Sequence, residues 1–276
     1  MVALVVPIFN GVPETRRCLS ALAHSLVDSD ARVILIDDAS TDPAIGTLLD
    51  AMPDGWVQVR NQRNVGFVGS ANLGIALAGR SDVILLNSDT QVTSGWLQAV
   101  TDCAASDQRI ASITPLTNNG EIASIPEFCR PNPWPEQPEL WARACRETPG
   151  YEYPSVPTAV GFCMFMRRAC IDQIGAFDEQ TFGRGYGEEN DWCCRASDTG
   201  WIHVLCDSAY VAHQGGASFG PLGLKPGGRA MQALLARHPD YLDQVQRFIA
   251  ADPMAQRRQR ISQRYQELLQ DSSCSS

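Results

Sequence analysis

Several short runs of this sequence end in groups able to handle a polar, charged ligand. Val83-Ile84-Leu85-Leu86 gives way to Asn87-Ser88-Asp89, and Val33-Ile34-Leu35-Ile36 gives way to Asp37-Asp38. A hard divalent cation takes oxygen ligands, so a strand-end carboxylate such as Asp89 can supply one while a bound diphosphate supplies others. On spacing alone Asn87-Ser88-Asp89 reads more readily as a turn, because these residue types also favour turns. Asp37 and Asp38 have the chemistry to accept hydrogen bonds from a base imide or a ribose, and Ser40 or Asp42 is placed to cap the helix that follows. Asn64-Val65-Gly66-Phe67 with Asn72 lets backbone approach a ligand at a helix start, although the spacing matches neither a P-loop nor a dinucleotide fingerprint. Glu188, Glu189 and Asp191 crowd one helix start, where like charges raise a carboxylate's pKa towards that of a general base. They also suit a helix dipole with no further role. His213 ends an apolar run just before Gly215-Gly216 and can complete a metal shell.

These residues need a frame. Four consecutive large aliphatics before a polar stop are typical of strands covered on both faces, the habit of parallel sheets. The first 115 residues alternate strand and helix: strands at 2–6, 32–36, 57–59, 83–86 and 110–113, with helices between them. The pattern predicts a doubly wound, mostly parallel sheet. From 117 to 158 prolines crowd the chain and periodicity fades, as in a loop-rich excursion with a helix around 136–147. Strands at 160–166, 201–206 and 209–213 follow, with a helix from Glu188 to Ala196 between them. The tail from about 228 reads as helical, with Leu234, Leu235, Tyr241, Leu242, Val245 and Phe248 as its packing side.

A net charge of −9, from 31 acids against 22 bases, argues against nucleic acid as a partner. No apolar run approaches the roughly 20 residues that span a bilayer, and the start reads as a first strand rather than a signal peptide. Ten scattered cysteines without a CxxC pair suggest reduced thiols in the cytosol rather than a zinc site.

Taken in order, the motifs resemble those of glycosyltransferase family 2, inverting enzymes with the GT-A fold, and in particular its rhamnosyltransferase-like branch. "VVPIFNG", "ILIDDASTD", "NVGFVGSANLGI", "LLNSDTQV", the segment ending in "GYGEENDWCCRA", and "AYVAHQGGASFG" carry the resemblance over about residues 2–220. It implies a nucleotide-sugar-binding half over about 1–115, an acceptor half over 116–220 and a helical extension over 221–276. It further implies that Asp37 and Asp38 contact the nucleoside, with Pro7 and Asn10 shaping that pocket, and that Asn64, Gly66, Phe67, Asn72, Asn87 and Ser88 also serve the donor. Asp89, with His213, would hold Mn²⁺ or Mg²⁺, and Glu189 would be the base, with Glu188 beside it and Asp191 in reserve. The chain departs from the family pattern in having Asn87 for the first Asp of DxD, and Glu189 where Asp is usual.

The expected reaction is transfer of a sugar from a UDP- or dTDP-sugar to a hydroxyl of a glycan or glycolipid. Two other readings compete with it. One is a nucleotide-sugar or carbohydrate-binding protein without turnover; the other is a nucleotidyltransferase, although no Gly-rich, Lys- or Arg-bearing signature follows the first strand. Four arginines within 256–265 also suggest contact with anionic lipid at the inner membrane face, against the plainer reading of a solvated helix.

Overall fold

The computed structural model describes every residue except 28, 184, 216–227, 275 and 276. In chain order the elements are β1 (Val2–Ile8), α1 (Val12–Ser25), β2 (Arg32–Asp37), α2 (Pro43–Asp50), β3 (Val57–Arg60), α3 (Gly66–Leu77), β4 (Asp82–Leu86) and β5 (Thr90–Val92). Then come α4 (Trp96–Ser106), β6 (Ile110–Leu116), a 3₁₀ turn at Glu121–Ala123, α5 (Pro138–Glu147), β7 (Ser155–Val156) and β8 (Cys163–Met166). The chain continues through α6 (Arg168–Ile174), α7 (Glu179–Phe182), α8 (Glu188–Ser197), β9 (Ile202–His213), α9 (Gly228–Arg237), α10 (Tyr241–Ala251) and α11 (Ala255–Cys274).

One sheet of nine strands runs β3-β2-β1-β4-β8-β6-β9-β5, with β7 also paired to β9. Strands β1 to β4, β6 and β9 point one way; β5, β7 and β8 are antiparallel to their neighbours. The expected mostly parallel, doubly wound sheet is therefore present, with an antiparallel insertion. Alternation along the strands sends Leu4, Val6, Leu35 and Ile84 to one core and Val5, Ile34, Ile36 and Leu85 to the other, as a two-residue period requires. Both faces are covered by helices, which is why these runs are apolar throughout. From β1 the chain crosses to β2 on one side and later returns through α3 to β4 on the other. The carboxyl ends of β1, β2 and β4 thus flank a topological switch point, the usual ligand crevice of such sheets.

Helix α3 can lie close to β1 only because residue 74 is glycine. A Cβ there would stand 2.1 Å from Cγ1 of Val5. Helix α2 is capped by Asp42, whose side chain accepts from the Ala44 amide at 2.9 Å, one of the two caps expected for it.

Two expectations need correction. The strands expected at 201–206 and 209–213 are one strand, β9, whose register against β6 slips from Cys206 to Tyr210. The polar Asp207-Ser208 pair looks like a turn, but Asp207 is buried because the fully buried Arg257 of α11 donates to it from Nε at 2.8 Å. Nor does the tail present one continuous packing side: it forms α9, α10 and α11. The break at His238-Pro239-Asp240 resets the helical phase, so Tyr241 is buried while Leu242 is exposed. The boundary expected between 220 and 221 lies outside the described residues.

Candidate active site

A cavity of about 410 Å³ opens at the switch point. Its floor comes from the end of β1 (Pro7, Ile8 and Phe9), from Asp38 after β2, and from Asn87, Ser88 and Asp89 after β4. Asn64, Gly66, Phe67 and Ser70 line one side, and Glu188, Glu189 and His213 also face in. No lysine or arginine lines it among the described residues, whereas Asp38, Asp89, Glu121, Glu188 and Glu189 all do.

Asn87-Ser88-Asp89 proves to be both a turn and part of this wall. The carbonyl of Asn87 accepts from the Thr90 amide at 3.2 Å and the Thr90 hydroxyl at 2.7 Å, closing the turn that starts β5. Pairing of β5 with β9 sets Thr90 opposite His213. That register brings Asp89 Oδ1 to 3.4 Å from His213 Nε2. The other ring nitrogen, Nδ1, lies 2.6 Å from the carbonyl oxygen of Asn119. A carbonyl only accepts, so Nδ1 carries a proton, and in the neutral ring Nε2 turns a lone pair towards a carboxylate oxygen. The pair thus offers a carboxylate oxygen and an imidazole nitrogen side by side at the cavity. Phe162 stacks on the imidazole at 5.0 Å between centroids and fixes its plane.

Helix α8 starts at Gly187, in left-handed backbone (φ 100°). A Cβ at 187 would come within 3.1 Å of the Phe182 ring, so glycine serves both the turn and the close approach of α7. The first two helical residues are Glu188 and Glu189. Glu188 is buried, and one oxygen of each carboxyl group has no hydrogen-bond partner in the protein. Burial pushes Glu189 up to about 7, and burial with the neighbouring Glu189 charge raises Glu188 well above the usual carboxylate range. Asn64 Oδ1 is likewise buried in the cavity wall without a partner.

Four of the expected site residues lie behind the wall rather than on it. Asp37 accepts from the Ser40 amide and pairs with Arg60. Asn10 holds the Thr41 and Asp42 amides, and Asn72 exchanges two hydrogen bonds with the Phe177 backbone. Asp191, fully buried, accepts from Arg195 Nε at 2.7 Å and is flanked by Arg237 at 3.3 Å and His238 at 3.1 Å. Each is tied into the framework by these bonds, Asp191 by three cationic or imidazole partners. Asp38 faces the cavity but already accepts from Asn61 Nδ2 and from the Val65 and Gly66 amides, all at 2.8 Å, so it also caps the start of α3.

Sequence reasoning missed Glu121, Tyr186, Met231 and Tyr241, all of which line the cavity. Glu121 has positive φ (47°), a backbone state no sequence signal announced. From sequence Tyr241 reads only as part of the tail's packing side, and Met231 is not singled out at all.

A profile of the family described as "Glycosyl transferase family 2" matches residues 3–175. This chain belongs to that family. The glycosyltransferase is 27% identical over 244 residues to an N-acetylglucosaminyl-diphospho-decaprenol L-rhamnosyltransferase of Mycobacterium tuberculosis, covering 79% of this chain and 77% of the relative. Among solved structures it resembles GalNAc-T7 with UDP, GalNAc and Mn²⁺ (TM-score 0.58, 18% identity), over 77% of this chain and 43% of that one. It also resembles S. aureus TarS 1–349 (TM-score 0.57, 14% identity), over 85% and 64%. The chain thus spans less than two thirds of either structural neighbour, and the likeness establishes the GT-A fold.

Proposed function

We propose that the enzyme transfers a sugar, with inversion, from a UDP- or dTDP-sugar to a hydroxyl of a glycan or glycolipid acceptor. The observation that carries this reading is the convergence on one cavity of the Asp89–His213 pair and the buried Glu188–Glu189 helix start. A nucleoside diphosphate would enter a wall with five carboxylates and no lysine or arginine among the described residues. Its charge therefore calls for a divalent cation, Mn²⁺ or Mg²⁺. Asp89 and the Nε2 lone pair of His213 fit such an ion, with donor oxygens completing the shell. When bound, the cation supplies positive charge that stabilises the departing diphosphate.

Among the protein's own groups, Glu189 takes the proton of the acceptor hydroxyl as that oxygen attacks the anomeric carbon. The bond from this carbon to the diphosphate oxygen breaks, and its electron pair leaves with the nucleotide. A single displacement of this kind inverts the configuration. Asn64, Phe67, Ser88 and Asp38 are proposed donor contacts, and Gly66 lets the α3 amides approach. A cytosolic setting is part of this proposal; the nine cysteines from Cys18 to Cys206 are free thiols. The expected lipid contact of the tail finds no support: Arg257, Arg258, Arg260 and Arg264 are paired with Asp207, Asp252, Glu152 and Glu147. No helix among the described residues is long and apolar enough to cross a membrane.

A thermal-shift screen of nucleotide sugars with and without Mn²⁺ tests the donor reading, since a ligand of the native state raises its apparent stability. Stabilisation by UDP- or dTDP-sugars only with the cation, lost in Asp89→Ala, is the expected result. Cation-independent stabilisation retained in that variant would defeat the metal assignment.

A further inference from the structure

The C-terminal helices, absent from the matched family region at 3–175, reach into the active-site cavity. Met231 of α9 and Tyr241 of α10 line it together with Tyr186. They are held there by a small apolar cluster in which Phe182, Cys194, Leu234 and Tyr241 are buried. A second tie is polar: Arg237 bonds Asp178 at 2.8 Å and the Thr181 hydroxyl at 2.7 Å, and reaches Asp191 on α8. Tyr241 shares the lining of this cavity with Glu121 and with Glu189, the proposed base. Glu188, buried and with one oxygen unpartnered, lines the same cavity.

Resting on the transferase reading above, we propose that α9 and α10 form the acceptor wall, and that it seats an uncharged sugar by its apolar face, with Met231 and Tyr241 against the ring carbons. A phosphorylated or carboxylated sugar placed there would meet Glu121, Glu188 and Glu189 with no described basic side chain lining the cavity. An anion taken out of water there, among acids and without a basic partner, is disfavoured steeply. Aromatic rings supply contact area at small entropic cost and suit the C–H face of a pyranose.

The test is a binding titration on the full chain loaded with Mn²⁺ and UDP, repeated with dTDP, using saturation-transfer NMR. The probes are matched p-nitrophenyl hexosides, their 6-phosphates and their uronide counterparts. Neutral hexosides should bind at least tenfold more tightly than either anionic set. Tyr241→Ala should weaken hexoside binding about tenfold with nucleotide affinity unchanged, whereas Tyr241→Phe, which keeps the ring, should retain it. Met231→Lys should narrow the preference against phosphates. Equal or tighter binding of the anionic probes, or no binding by any neutral hexoside, overturns the inference. Nucleotide binding in the same titration separates the two levels: its persistence confines failure to the acceptor wall, and its absence indicts the donor site itself. Circular dichroism at the assay temperature, with Tyr241→Phe as the variant that keeps the packed ring, excludes unfolding as the cause.

Discussion

As the proposed base, Glu189 stands where two demands meet: a base must be ionised to act, yet its surroundings favour the proton. Glu189→Gln should lower kcat by about 10²- to 10⁴-fold, the usual worth of a positioned base, while donor affinity measured by titration stays the same. For the intact enzyme, log kcat should rise with pH and level off above about 7, the value to which burial pushes Glu189. Stability should run the other way. Folding raises this group above its ordinary 4.5, so the native state holds the proton more tightly than the unfolded chain does. That advantage is complete below 4.5 and is lost as pH rises through about 7. Glu189→Gln should therefore raise the calorimetric Tm more at pH 8 than at pH 5; an equal gain at both would refute the burial argument. The identity of these acids was legible in the sequence because they stand at a helix start. Which of them faces the cavity was not, since neighbouring helical residues diverge by about 100° and only packing shows which one looks inward.

At the scale of elements, strands of four or more apolar residues were readable because burial on both faces leaves them no polar position. The two- and three-residue strands β7 and β5 carry too little pattern to be read, although β5 is what sets Asp89 beside His213. The α3–β1 contact gives a direct check. Gly74→Ala should destabilise the fold by about 1–3 kcal/mol in urea unfolding, the cost of overpacking a filled core. Removing the obstructing methyls in a Gly74→Ala/Val5→Ala double variant should recover part of that loss, giving non-additivity expected only of residues in contact.

Across the whole molecule, the tail is part of the fold rather than an appendage. Fully buried Arg257 joins Asp207 on β9 to the carbonyls of Thr148, Pro149 and Cys145, the last on α5. Trp141 stacks on Tyr265 at 3.9 Å between centroids. Arg257→Ala would leave Asp207 as an uncompensated buried charge and should cost about 3–5 kcal/mol in chemical denaturation; a loss below 1 kcal/mol would show that the carboxylate is not enclosed. From sequence these arginines resembled a solvent- or lipid-facing basic run. Of the partners that neutralise them, Glu147 and Glu152 lie more than a hundred residues earlier, Asp207 lies on the strand that reads from sequence as two, and Asp252 is a near neighbour.

Strand β9 therefore carries a consequence for the order in which the enzyme comes into being. The ribosome completes β1 to β5 early, and Asp89 emerges with them, but its partner His213 belongs to a strand that is secured by Arg257. The Met231 and Tyr241 wall also emerges late. Long-range pairings of this kind form only once both ends exist. A nascent or prematurely released chain thus has much of its sheet but neither the complete proposed cation site nor the proposed acceptor wall. On the proposed assignment catalysis requires the C-terminal helices, so fragments left by interrupted synthesis should be silent rather than hydrolysing nucleotide sugar.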